Sequence, residues 1–321
     1  MTLDLPPFRQ RFPWWGADLQ TLASRLGARR AALQAVQSER LSFRLKDGDT
    51  LLAALDRPAR RGKRPLAILV HGLTGSEDSS YMISQASLLL ARGHAVLRIN
   101  LRGAGPSRGL CSDQYYAGRS QDFRELLSLL PAALTKEGLV AIGYSLGGAM
   151  LLKYLGEEGA STPLTAAASV SAPIDLAATC SHMMRRRNWL YHRHILAEMK
   201  REAMGEGASL SASERAAIRV AETIWHYDEM FIAPRHGFSG ADDYYERCKP
   251  VRFMPGIRIP TLVLASLDDP WIPGKLYSGY PWKGNDALVP ALSRHGGHVG
   301  FHGIDDDVPW SDRVVARFLA G

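Results

Sequence analysis

The strongest constraint on this chain is an alternation of short, continuous apolar runs with longer stretches of helical periodicity. Leu66 to Val70, Ala95 to Leu101, Leu139 to Ile142, Ala166 to Val170 and Thr261 to Leu267 are runs of the kind that a parallel sheet buries on both faces. Tyr81 to Ala91, Ser120 to Leu130 and Leu146 to Leu155 lie among them and carry apolar residues three and four positions apart, the spacing of one helix face. This succession predicts a doubly wound, mostly parallel α/β sheet. Before it, Leu41 to Leu55 alternates around the turn dipeptide Asp47-Gly48 and predicts an antiparallel hairpin. After it, Val308 to Leu319 predicts a closing amphipathic helix.

The rhythm breaks once. Residues 174–260, rich in helical pattern, separate the strand ending near Val170 and Pro173 from the strand at Thr261, far more than a bare loop. Trp189 to Met204 and Ala212 to Met230 each predict a helix, with Ser209 or Ser211 as the cap of the second. The expected division is therefore an N-terminal extension (1–40) packing on a core (41–172 and 251–321), with a helical cap inserted at 173–250.

Composition excludes several classes. No apolar run approaches the roughly 20 residues of a spanning helix, and Cys111, Cys180 and Cys248 have neither disulfide-framework nor zinc-knuckle spacing. The opening residues, with Asp4 and Pro6-Pro7, lack the basic and apolar regions of a secretory signal. A cytoplasmic location is expected. The net charge of +7 is dispersed except at Arg29-Arg30, Arg60-Arg61 and Arg185-Arg186-Arg187, and no nucleic-acid motif accompanies it, so nucleic acid is not an expected partner. Arg185 to Arg187, beside His182, His192 and His194, suits either a solvated helix face or peripheral contact with anionic lipid. Oligomeric state is left open.

The chemistry sits at strand ends. Gly143-Tyr144-Ser145-Leu146-Gly147 follows a buried strand and opens a helix, the context in which GxSxG forms a strained turn that lifts a nucleophilic serine above a sheet. His71-Gly72-Leu73-Thr74-Gly75-Ser76 follows the Leu66 to Val70 strand, where one backbone amide, that of Leu73, can meet a developing oxyanion; the amide of Leu146 is the second donor. Asp268 and Asp269 follow the Thr261 strand, and the spacing Asp269-Pro270-Trp271-Ile272-Pro273 favours Asp269 as the acid. His298, in His295-Gly296-Gly297-His298-Val299-Gly300-Phe301, is the expected base, with His295 and His302 as fallbacks. The order Ser145, Asp269, His298 suits acyl transfer through a serine nucleophile. His71, Gly72 and Tyr144 near this centre, and Met183 and Trp225 in the cap, are the expected substrate contacts. Met183-Met184, Trp189, Leu190, Ile195, Met199, Trp225 and Phe231 form either an acyl tunnel or the cap's own core. No helix or carboxylate pattern makes metal ligands of the three histidines.

Together these segments resemble the α/β-hydrolase superfamily, and in detail its YheT-type branch. Leu19-Gln20-Thr21 after Pro13-Trp14-Trp15, HGLTGS, Asn100-Leu101-Arg102-Gly103, GYSLGG, LDDP and GGHVGF are similar to that branch's successive motifs. Within the cap, Trp225 with Asp228, and His236-Gly237-Phe238 to Tyr244-Tyr245, also resemble it. The branch's usual Asn or Gly before the acid is replaced by Ser266-Leu267, which leaves Asp268 and Asp269 both open. The resemblance implies metal-free, cofactor-free hydrolysis of short- to medium-chain acyl or lipid esters through an acyl-enzyme on Ser145. Acyl transfer to an alcohol by the same intermediate, or a non-catalytic lipid- or partner-binding scaffold, are the competing expectations.

Overall fold

The computed structural model describes residues 7–26, 38–59, 62–304 and 306–320. Arg29-Arg30, Arg60-Arg61, Asp4 and Pro6 lie outside these residues. Among the described residues, eight strands form one sheet: β1 (Glu39–Arg44), β2 (Thr50–Asp56), β3 (Leu66–Val70), β4 (Val96–Ile99), β5 (Leu139–Tyr144), β6 (Leu164–Val170), β7 (Thr261–Ser266) and β8 (Leu288–Ser293). Their order is β1-β2-β4-β3-β5-β6-β7-β8. The expected hairpin is antiparallel, and β2 pairs antiparallel with β4; the other pairings, from β4 across to β8, are parallel. The fourth strand is shorter than its apolar run, because the Leu101 amide turns away to donate to His71 Nε2 at 3.0 Å.

Strand residues alternate between two apolar layers, as period-2 geometry requires. Ile68, Ala141 and Val263 face α3 (Ser120–Ser128) and α4 (Leu146–Glu158), which contribute Phe123, Leu126, Met150 and Leu151. Leu69, Ile142 and Leu264 face α2 (Ser80–Ala91) and α9 (Trp310–Phe318), through Met82, Leu89, Val314 and Phe318. The N-terminal helix α1 (Gly16–Leu26) lies beside the loop after β8.

Between β6 and β7 the chain is helical: α5 (Leu176–Met183), α6 (Trp189–Ala203), α7 (Ala212–Val220) and α8 (Ala241–Cys248). Their buried side chains form a third apolar cluster with Tyr227 and Phe231. Ser211, not Ser209, caps α7, accepting from Glu214 N in a capping box. The stretch Ala212 to Met230 is not one helix. Thr223, in extended conformation, caps a new turn (Ile224–Tyr227) by accepting from His226 N at 3.0 Å, and a π-helical stretch, Asp228–Ile232, follows. A second cap inside an apolar-periodic run restarts the helix in another direction.

Candidate active site

The chain leaves β5 into Ser145, whose φ of 48° and ψ of −121° are unfavourable for an L-residue, and enters α4 at Leu146. Small neighbours make this turn feasible. A Cβ on Gly143 would lie 2.6 Å from the Gly147 carbonyl oxygen, and one on Gly147 would collide with the His71 carbonyl oxygen. The sharp turn also settles the position of Tyr144. Its ring belongs to the layer against α2, 4.7 Å from Tyr81, so it faces away from the centre and is not a substrate contact.

Three side chains distant in sequence meet above the strand ends. His298 Nε2 lies 3.0 Å from Ser145 Oγ, and His298 Nδ1 lies 2.8 Å from Asp269 Oδ2. With Nδ1–H donating to the carboxylate, Nε2 is left to accept the serine proton. Asp269 is buried, and its other oxygen accepts from Trp271 N at 2.8 Å and Ile272 N at 3.1 Å. Trp271 stacks on the imidazole, 4.2 Å between centroids. Asp268 points elsewhere: it accepts from Gly297 N at 3.0 Å and faces the exposed His295 at 3.1 Å. Thus Asp268 braces the loop that carries His298 and Asp269 meets the ring. His302 lies beside Trp14, at 6.0 Å, on the far side of that loop.

His71 and Gly72 do not line the cavity over Ser145. The buried His71 ring accepts from Leu101 N through Nε2 and therefore donates from Nδ1 to the Gly72 carbonyl at 2.7 Å. Burial lowers its pKa to about 4, so this neutral arrangement persists at neutral pH. Gly75 N also donates to that carbonyl, at 3.1 Å. A trans peptide is rigid and its N–H is opposed to its C=O, so fixing the Gly72 carbonyl fixes the direction of the Leu73 amide. The neighbouring amides of Gly72 and Thr74 are taken by Tyr81 Oη at 2.9 Å and Tyr115 Oη at 2.7 Å. Among the described residues, the Leu73 and Leu146 amides meet no intramolecular acceptor, and both residues line the cavity with Ser145 and His298.

The motif Leu19-Gln20-Thr21 supplies contacts that sequence reasoning missed. Thr21 Oγ1 accepts from His298 N at 2.9 Å and donates to Ala17 O at 2.7 Å. Gln20 donates to His302 O at 3.0 Å and accepts from His302 N at 2.7 Å. On the same helix, Asp18 pairs with Arg187 at 2.6 Å and accepts from Tyr191 at 2.9 Å, so α1 touches both the histidine loop and the cap. That ion pair engages one member of the arginine cluster, whereas Arg185 and Arg186 are exposed.

The cavity, about 150 Å³, is lined mainly by apolar side chains, among them Leu176, Met183, Ile195, Met199 and Ile232 of the inserted helical stretch. Trp225 packs in the cap's apolar cluster instead, and its neighbour Ile224 lines the cavity. Trp189 and Leu190 are exposed, and Phe231 is cap core. Two acids face the cavity, Glu202 and Asp228. Burial pushes both up to about 7, against hydrogen bonds from Tyr115 to Glu202 and from Tyr245 to Asp228 that lower them. The spacing Ile195, Met199, Glu202 puts all three on one helix face, the signal by which Glu202 could have been found. Among the described residues, no three His, Cys, Asp or Glu side chains gather as metal ligands, and no helix is long and apolar enough to cross a membrane.

Residues 65–301 match the family model for the alpha/beta hydrolase fold. The chain is 31% identical over 293 residues to the putative esterase YheT of Escherichia coli, covering 89% of this chain and 84% of that one. It is 28% identical over 260 residues to the phospholipase ABHD3 of Bos taurus, covering 80% of this chain and 63% of the relative's length. Among solved structures, the esterase Pf2001 of Pyrococcus furiosus superposes with a TM-score of 0.59 at 15% identity, covering 99% of this chain and 98% of that one.

Proposed function

This chain belongs to the α/β-hydrolase family, and from that premise we propose that it is a carboxylic ester hydrolase acting through an acyl-enzyme on Ser145. The observation that carries this is the unbroken hydrogen-bond path from Ser145 through His298 to Asp269, at 3.0 and 2.8 Å, opening into an apolar cavity. Ser145 Oγ attacks the ester carbonyl carbon while its proton passes to His298 Nε2. The tetrahedral oxyanion takes the Leu73 and Leu146 amides, a pair in which one donor is worth about 3 kcal/mol in the transition state. The alkoxide leaves with the proton of His298, and water, activated by the same ring, releases the acid. Asp269 holds the ring's tautomer and balances the imidazolium without accepting its proton.

The acyl chain is the part that suits this cavity, and short- to medium-chain esters, lipids included, form the substrate class. Names of relatives, an esterase and a phospholipase, agree with that class. Each buried methylene adds about 0.8 kcal/mol, so kcat/KM rises about fourfold per carbon until the cavity is filled.

The test is labelling with a fluorophosphonate probe, then turnover of p-nitrophenyl esters of graded chain length. Wild-type protein is expected to label at Ser145 and to show a chain-length optimum, while Ser145→Ala stays unlabelled and loses about 10^4 in kcat. An unlabelled wild-type protein, or a Ser145→Ala variant with full turnover, overturns the reading.

A further inference from the structure

We infer that Tyr115 and Glu202 are positioning residues of the oxyanion loop, and that through them cap helix α6 takes part in aligning the Leu73 amide. The inference rests on the hydrolase reading above.

The phenol of Tyr115 has one proton to give. It donates to Glu202 Oε2 at 2.7 Å, so the lone pairs of the same oxygen remain for the Thr74 amide, which donates to it at 2.7 Å. An acceptor on the far side of a hydroxyl makes its oxygen a better acceptor in turn. Glu202 therefore strengthens the grip on Thr74. The ring of Tyr115 is buried and set edge-on to His71, at 5.9 Å and 89°, so it stands against the other residue that fixes this loop.

Thr74 needs the grip. Its φ of 55° is rarely adopted by a residue with a Cβ, and such conformations persist only when their surroundings impose them. Leu73 lies between two held peptides. On one side the Gly72 carbonyl is fixed by His71 and Gly75, within the sheet's own loop. On the other side the Thr74 amide is fixed by Tyr115, whose hydroxyl is oriented by a residue of the inserted helices. Glu202 is half-buried and lines the same cavity as Ser145. The hydrogen bond from Tyr115 is its direct polar contact in the cavity wall, and the Arg108 guanidinium adds a weaker attraction.

The consequence is a cap that does more than cover the acyl chain. With α6 in place, Glu202 orients the phenol that holds the oxyanion loop; without Glu202, Tyr115 loses its acceptor and its hold on Thr74 weakens. In this scheme both residues act through the Leu73 amide on the oxyanion, which exists only in the transition state, so their removal should appear in the chemical step and not in ground-state binding.

The experiment compares Tyr115→Phe, Glu202→Ala and Glu202→Gln with wild type, using the p-nitrophenyl ester that wild type turns over fastest and a boronic acid of the same acyl length as an analogue of the tetrahedral intermediate. Tyr115→Phe and Glu202→Ala are expected to lower kcat tenfold or more with KM changed less than twofold, and to weaken boronic acid binding by a similar factor. Glu202→Gln, which keeps an acceptor for the phenol, is expected to restore kcat to within threefold of wild type. Equal kcat in wild type and Glu202→Ala overturns the inference, as does a loss confined to KM or an equal loss in Glu202→Gln and Glu202→Ala. If Tyr115→Phe does not fold, the two Glu202 variants decide alone. Fluorophosphonate labelling of wild type is read first: its failure counts against the hydrolase reading itself, whereas labelled, active wild type with indifferent variants counts against these two residues only.

Discussion

Asp228 offers a quantitative test of the electrostatics of the cavity. It is 7% exposed, it accepts from Tyr245 Oη at 2.6 Å, and burial raises its pKa from 3.8 to about 7. A carboxyl with a raised folded-state pKa binds its proton more tightly when folded, so its contribution to stability is complete below about pH 4 and is lost as pH rises through about 7. Integrating that difference from pH 5 to pH 8 gives a loss of about 3 kcal/mol from this one group. Asp228→Asn keeps an acceptor for Tyr245 and removes the titration. Urea unfolding of both proteins at pH 5 and pH 8 gives four free energies, and in their double difference every other titrating group cancels. The variant is expected to lose about 3 kcal/mol less than wild type over this interval, and to be the more stable protein at pH 8. Parallel pH dependence in the two proteins would refute the reasoning, because it would mean that the carboxyl is ionised in the folded chain at little cost.

Three further outcomes follow from the geometry. Asp269→Asn is expected to lower kcat by about 10^3 or more by presenting the wrong hydrogen-bond partner to His298 Nδ1, whereas Asp268→Asn lowers it no more than about tenfold; steady-state kinetics on one ester distinguishes them. Gly147→Ala drives a Cβ into the His71 carbonyl and is expected to destabilise the fold by about 2 kcal/mol or more, read as a lowered melting temperature. Thr21→Val leaves the buried His298 amide without its acceptor, and is expected to cost about 1 to 3 kcal/mol of stability and about tenfold in kcat, read by urea unfolding and ester turnover.

Much of this architecture is legible in the sequence, because continuous apolar runs and helical periodicity are local signals. The parallel strands, the hairpin and the elbow at Ser145 lie where those signals put them, to within a residue or two at each end. Signals fail where the outcome depends on a turn's direction. Asp268 and Asp269 are adjacent and chemically identical, and the backbone donors Trp271 N and Ile272 N choose between them. Tyr144 is next to Ser145 in sequence, yet strand alternation carries its ring to the opposite layer. Trp225 has the composition of a cavity wall, but the restart of the helix at Thr223 turns Ile224 inward in its place. Thr21 was unreadable for another reason: a threonine in an amphipathic helix gives no local sign of a contact 277 residues away.

That separation shapes how the enzyme comes into being. Helix α1 leaves the ribosome long before the segment from Gly296 to His302, which Gln20 and Thr21 hold. Ser145 is made well before His298, but the imidazole loop is held by Gln20 and Thr21 only once all of these residues are present. A chain halted before residue 298 would carry Ser145 without the imidazole that faces it.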